Sequence, residues 1–134
     1  MSTAKVTYLG RLRTSCEHLA SGTNIITDAP VDNKGQGQAF SPTDIVATAL
    51  ASCILTIIGI KATEINASIE GAQAVVNKVM ASNPRRISQI KVEITLPSQD
   101  NLKTQIVLER AGNTCPVFYS LHPDIQKNIT YNWV

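Results

Sequence analysis

Apolar and polar positions change period several times along the chain, and each change marks an element. From Ile87 to Leu96 the alternation is strict: Ile90, Val92, Ile94 and Leu96 fall on one face, Lys91, Glu93 and Thr95 on the other. That is the period of a strand with one buried side. Ile69 to Met80 alternates more loosely and pairs with it as a hairpin, with Ser82-Asn83-Pro84 the turn and Gly71 a candidate bulge. Ile129, Tyr131 and Trp133 alternate over Asn128 to Val134, so the chain closes on a strand. At the other end Lys5 to Leu9 reads as a strand that Gly10 breaks. Arg11 and Arg13 follow, then Thr14 to Leu19, and after the Ser21-Gly22 turn Asn24 to Thr27 returns as a second strand.

Helical spacing appears in three places. Asn101 to Gly112 sets Leu102, Ile106 and Val107 against Lys103, Glu109 and Arg110. Cys115-Pro116 starts a short helix to about Leu121, which His122-Pro123 stops. The longest helix is Ser41 to Ala62, the most apolar stretch in the chain. Ser41 is its N-cap, Pro42 its first residue, and Asp44 stands three after Ser41, as in a capping box. From Ile45 onward the apolar residues occupy every side, so other elements or a partner subunit must enclose this helix. Before it, Asp28 to Phe40 has no apolar period and reads as a loop, of the long kind that is often functional. The order β-β-α-β-β-α-α-β is α+β with a mostly antiparallel sheet.

Composition changes this picture little. The 134 residues suit one domain spanning the whole chain, 1–134. A net charge of +2 and an aromatic share of 4% argue against a nucleic-acid partner. Ile45 to Ile60 would span about 24 Å as a helix, short of the roughly 30 Å of a bilayer core, and Thr48, Ser52 and Thr56 interrupt it. We therefore expect a core helix and no membrane. No secretory leader is visible at Met1, and Cys16, Cys53 and Cys115 make no disulfide framework, so a cytoplasmic protein with reduced thiols is expected.

Two of those thiols are candidates for chemistry. Cys115, before a proline at the first helical position, would cap its helix, where backbone N–H groups and the dipole favour a thiolate of lowered pKa. Cys53 lies about three turns into the long helix, where burial favours an inert core thiol. It would become a nucleophile only if a cation such as Arg11 or Arg13 folded over it. The two stand 62 residues apart, which is neither a CxxC nor a zinc spacing, and no metal or cofactor is expected. Cys16-Glu17-His18 is at most a weak metal corner and more simply a surface accident. Ser120, His122 and Asp124 lack the elbow of a hydrolase triad, and Arg85-Arg86 reads as a solvated hairpin tip.

The segments SPTDIVATALASC, ending at Cys53, and NTCPVFYSLHPDI, containing Cys115, together resemble the OsmC/Ohr family (osmotically inducible protein C and organic hydroperoxide resistance protein). The resemblance runs along nearly the whole chain. It implies an intertwined homodimer whose two long central helices are wrapped by sheets, which would explain the all-round apolarity. It also implies thiol-dependent reduction of organic hydroperoxides, with Cys53 peroxidatic, Cys115 resolving and an external dithiol as reductant. The family arginine that stabilises the thiolate falls on Arg13, or on Arg11. One position departs from the pattern. The glutamate usual directly after the proline is Thr43 here, and the nearest acid, Asp44, is one residue later, turned by about 100°. An alternative on the same scaffold is a non-catalytic dimer that binds a small apolar molecule, its thiols incidental. A purely structural dimer is the third reading.

Overall fold

Three strands, not two, precede the long helix. In the computed structural model, which describes all 134 residues, β1 (Ala4–Gly10), β2 (Arg13–His18) and β3 (Asn24–Asp28) form an antiparallel sheet in the order β1-β2-β3. The extra strand is β2. Its sequence, RTSCEH, has no apolar alternation, so its pairing is not visible in its composition. The turn before it is equally disguised. Arg11 and Leu12 form a two-residue connection with φ of 55° and 64°, a geometry that usually selects Asn or Gly. The Leu12 N–H donates to Tyr8 Oη at 3.2 Å across this turn.

Residues cluster into two compact units, Met1–Val46 and Ala47–Val134. In the first, the loop after β3 is held by its own backbone. A 3-10 turn covers Val31–Asn33, the Gly35 N–H donates to the Pro30 carbonyl at 2.9 Å, and the Gly37 N–H to the Ala29 carbonyl at 3.2 Å. A side chain on Gly35 would collide with the Ala29 backbone, its Cβ falling 1.7 Å from the carbonyl oxygen. The residues this unit buries are polar: Thr27, Asp28 and Ser41. Val6, Tyr8, Leu9, Ile25 and Phe40 all remain exposed.

The helix α1 (Pro42–Glu64) begins as the sequence indicates. Ser41 Oγ accepts from the Asp44 N–H at 3.1 Å, and Asp44 Oδ2 accepts from the Ser41 N–H at 3.0 Å, a reciprocal capping box. Its buried residues are Ala47, Leu50, Ala51, Ile54, Ile58 and Ala62. They recur at three- and four-residue intervals and mark one face, so the chain alone does not enclose the helix all round. Val46 and Ile60 stand out, at 40% and 53% exposure.

In the second unit the buried face of α1 joins one core with Ile90, Val92, Ile94 and Leu96 of β5 (Arg86–Leu96), all fully buried. That strand sits between β4 (Gln73–Ala81), which it pairs antiparallel, and β6 (Gln126–Trp133), which it pairs parallel. The register irregularity of the hairpin falls at Val79/Met80 rather than at Gly71. Between β5 and β6 the chain makes α2 (Leu102–Gly112), capped by Asn101, and the five-residue α3 (Pro116–Ser120). The architecture is α+β with sheets mostly antiparallel and a central helix. By length and composition α1 could cross a membrane, and its role as the core helix of this unit accounts for the same apolarity.

Candidate redox site

Cys53 sits midway along α1, beside the buried row that contains Leu50 and Ile54, and is half-buried rather than enclosed. Cys115 is the N-cap of α3, with Pro116 at the first helical position, and is fully buried. The fold brings these two thiols, 62 residues apart in sequence, near enough that Cys53 helps to raise the pKa of Cys115. Both are free.

The environment of Cys115 corrects one expectation. Its sulfur does accept from the Phe118 N–H at 3.5 Å, as a cap should. Yet its pKa is pushed up, not down. Burial raises it most, the hydrogen bond with Cys53 raises it further, and the N–H groups of Phe118 and Val117 offset only part of this. A five-residue helix offers little dipole to set against removal from water. Cys115 therefore keeps its proton at neutral pH and can donate it to the Cys53 sulfur.

Behind Cys115 the end of α2 rests on β6. Tyr131 Oη donates to Asn113 Oδ1 at 3.0 Å, and Trp133 Nε1 donates to Glu109 Oε2 at 3.1 Å. Gly112 lets the tyrosine in: a Cβ there would stand 2.6 Å from Tyr131 Oη. The phenol is pushed up to about 12, first by burial, then by the neighbouring charges of Glu109 and Cys115.

The other expected site residues lie in the first unit. Arg13 on β2 is paired in register with Asp28 on β3, and its Nε stands 4.0 Å from Asp28 Oδ2. The same oxygen accepts from the Gln38 N–H at 2.9 Å. Asp28 is fully buried, and both its Oδ1 and Arg13 Nε are buried without a hydrogen bond. Arg11 is exposed in the β1–β2 turn. Asp44 serves the capping box, and Thr43 Oγ1 lies 3.2 Å from Ser41 Oγ. Asp28 is the last residue of β3, not the first residue of the loop that its sequence suggests. Only the strand pairing, hidden by the Arg11-Leu12 turn, sets it opposite Arg13.

The family model for OsmC-like protein matches residues 35–130. This chain belongs to the OsmC-like family. Among solved structures, one from Psychrobacter arcticus 273-4 superposes with a TM-score of 0.94 at 54% identity, covering 98% of this chain and 96% of that one. It carries the provisional description of an osmotic stress induced and detoxification response protein. An organic hydroperoxide resistance protein OsmC from Legionella pneumophila shares the fold at 16% identity, with a TM-score of 0.76 and coverage of 98% and 96%. A Vibrio cholerae structure with captopril bound in one of the active sites shares it at 13% identity, with a TM-score of 0.74 and coverage of 98% and 92%. No curated protein matches this chain.

The remaining chemical candidates of this OsmC-like chain fall into structural roles. Cys16 is half-buried on β2, with Thr14 Oγ1 3.7 Å from its sulfur. His18 Nδ1 is 2.6 Å from Ser21 Oγ, bracing the β2–β3 turn. His122 Nδ1 accepts from the Asp124 N–H at 3.0 Å, while Ser120 Oγ donates back to the Pro116 carbonyl at 2.9 Å. No group of three or more His, Cys, Asp or Glu residues is arranged to hold a metal ion.

Proposed function

We propose that this OsmC-like chain is a single-domain, homodimeric, cytoplasmic thiol peroxidase that reduces organic hydroperoxides. One observation carries the reading: Cys53 and Cys115 are neighbours in the fold, a half-buried thiol beside a fully buried one whose pKa is raised by burial and by Cys53. Two neighbouring thiols can pass through a sulfenic acid to a disulfide.

The reaction runs in three steps. Cys53 thiolate attacks one peroxide oxygen, forming S–O as O–O breaks; the alkoxide leaves and takes a proton as the alcohol. The Cys115 sulfur attacks the Cys53 sulfenic acid, forming S–S as S–O breaks, and the hydroxide leaves as water with the Cys115 proton. An external dithiol then reduces the disulfide by exchange and is itself oxidised. Before the first step the Cys115 S–H serves as a hydrogen-bond donor to the Cys53 thiolate. The resemblance gives Arg13 the task of stabilising that thiolate, and Asp28 is the acid that holds Arg13 in place of the usual helix glutamate. Arg11 and Asp44 take lesser parts, one as a second cation, the other as a cap. The apolar side chains left uncovered, Val46 and Ile60 on α1 and Val6 and Tyr8 on β1, support a second copy as the cover.

Mixing the fully reduced protein with one equivalent of cumene hydroperoxide tests the reading. Two thiols per chain should disappear, with a Cys53–Cys115 disulfide in the peptide map. Cys53→Ser should abolish the loss, and Cys115→Ser should stop at a sulfenic acid that dimedone traps. If both cysteines stay reduced, the peroxidase reading fails.

A second reading, a non-catalytic binder of a small apolar molecule, draws on Thr43 and on an open depression of about 510 Å³ lined by Gly37, Gln38, Ala39, Phe40 and Asp44. A ligand retained in native mass spectra of both wild type and Cys53→Ser would favour it.

A further inference from the structure

The corner between α2 and α3 carries Cys115, and it is anchored more firmly than a three-residue connection requires. The Asn113 N–H donates to the Glu109 carbonyl at 3.2 Å. The Thr114 N–H and hydroxyl both reach the Ala111 carbonyl, at 3.0 and 2.7 Å. These bonds belong to the helix end itself. Two others come from outside it: Tyr119 Oη donates to the Asn113 carbonyl at 3.4 Å, and Tyr131 Oη to its side-chain oxygen at 3.0 Å.

Of these, only the Tyr131 bond joins the corner to the sheet. Tyr131 pairs in register with Ile94, a fully buried residue at the centre of β5. Its ring is therefore fixed by the sheet, and its hydroxyl reaches across to a residue two before the thiol. Gly112 is what permits the approach, since any Cβ there would meet both Tyr131 Oη and Ile58. Because the phenol holds its proton to about pH 12, it donates throughout the physiological range.

We propose that Tyr131 is a positioning residue for Cys115: through its bond to Asn113 it holds the α2–α3 corner at the place from which Cys115 can bond to Cys53. The physical reason is the narrow geometry of a disulfide. Bonding requires the right separation and a torsion near ±90°, so the effective concentration of one thiol at the other depends on how tightly each is held. Cys53 is held by the middle of a long helix. Cys115 sits at the start of a short one, and its position depends on what the corner is tied to.

The inference deepens the thiol-pair reading but needs no peroxide. Glutathione disulfide oxidises the pair directly: Cys53 and Cys115 lose two hydrogens and form one S–S bond, and the oxidant becomes two glutathione thiols. Equilibrating the full-length protein in glutathione buffers of graded ratio reads the effective concentration. Tyr131→Phe keeps the ring and deletes only the hydroxyl. We expect about a tenfold fall in the Cys53–Cys115 equilibrium constant, with native unfolding midpoint and circular dichroism largely retained. Asn113→Ala should give a similar fall, and the double variant no more than either alone, since all three break one bond. An unchanged constant in a folded Tyr131→Phe protein overturns the proposal. So does a fall in Tyr131→Phe that Asn113→Ala does not reproduce, or that adds in the double variant. If the wild-type pair forms with glutathione and responds in this way yet ignores cumene hydroperoxide, the positioning role stands and the peroxidase reading falls.

Discussion

Arg13 faces Asp28 across the β2–β3 pair, its Nε 4.0 Å from the carboxylate Oδ2, and the acid is fully buried. Neither group has its hydrogen-bonding capacity filled. Removing either partner strands the other. Asp28→Asn and Arg13→Gln should each destabilise the protein by about 1 to 3 kcal/mol, below the figure for fully enclosed pairs because the Arg13 side chain is 35% exposed. Urea unfolding checks this. The double variant should lose less than the sum, leaving a coupling of about 1 kcal/mol; strict additivity would mean the two charges do not interact. Under the proposed function Arg13→Gln also slows Cys53 alkylation at pH 7, by roughly tenfold or more.

The raised pKa of Cys115 sets a pH dependence whose sign follows from burial. Between the ordinary thiol value of about 8.5 and its higher folded value, the folded chain binds more protons than the unfolded one. Its contribution to stability is thus complete below about pH 8.5 and is lost as pH rises through the folded value. Iodoacetamide followed by peptide mapping should find Cys115 the slowest of the three cysteines at pH 7. Cys53→Ser should leave it slow, because burial is the larger cause. A Cys115 that labels as fast as Cys16 at neutral pH would contradict this account.

Gly112 offers a steric test. Its Cβ would stand 2.6 Å from Tyr131 Oη and 3.0 Å from Ile58 Cδ1. Gly112→Ala should cost about 1 to 3 kcal/mol, the range for forcing an extra methyl group into packed surroundings. Tyr131→Phe in the same chain should recover part of that loss, since the hydroxyl is the nearest clash. Thermal unfolding of the three variants measures it.

The outward face of α1 bears on assembly. Val46 and Ile60 are exposed in the chain, whereas Ile54 is completely buried. Ile54→Ala should lower stability by about 2 to 5 kcal/mol through the cavity it leaves. Ile60→Glu should leave a lone chain little affected but should split a dimer that covers this face. Light scattering at graded concentration distinguishes the cases, and a wild-type mass of one chain at every concentration would refute the dimer.

Much of this fold is legible because hydrophobic periodicity is local. Ile90, Val92, Ile94 and Leu96 announce a buried strand face, and all four are fully buried. Ser41, Pro42 and Asp44 announce the start of α1 to the residue, since a capping box is a contact between near neighbours. Cys115 is likewise placed at a helix start by the proline after it. The strand β2 is not legible, because Arg11 and Leu12 adopt left-handed backbone that their side chains do not advertise. With that turn missed, the Arg13–Asp28 pair is out of reach.

The sequence by itself determined the class of the fold, the long core helix and the two cysteines worth watching, each through patterns spanning a turn or a strand. Only the tertiary structure decided what those cysteines are. It set Cys53 against Cys115, left the first half-buried and removed the second from water. The cost of that removal outweighs two backbone N–H groups, so the cap that promised a thiolate holds a protonated thiol. A pKa depends on everything within a few ångströms, and across 62 residues of chain only folding brings those neighbours together.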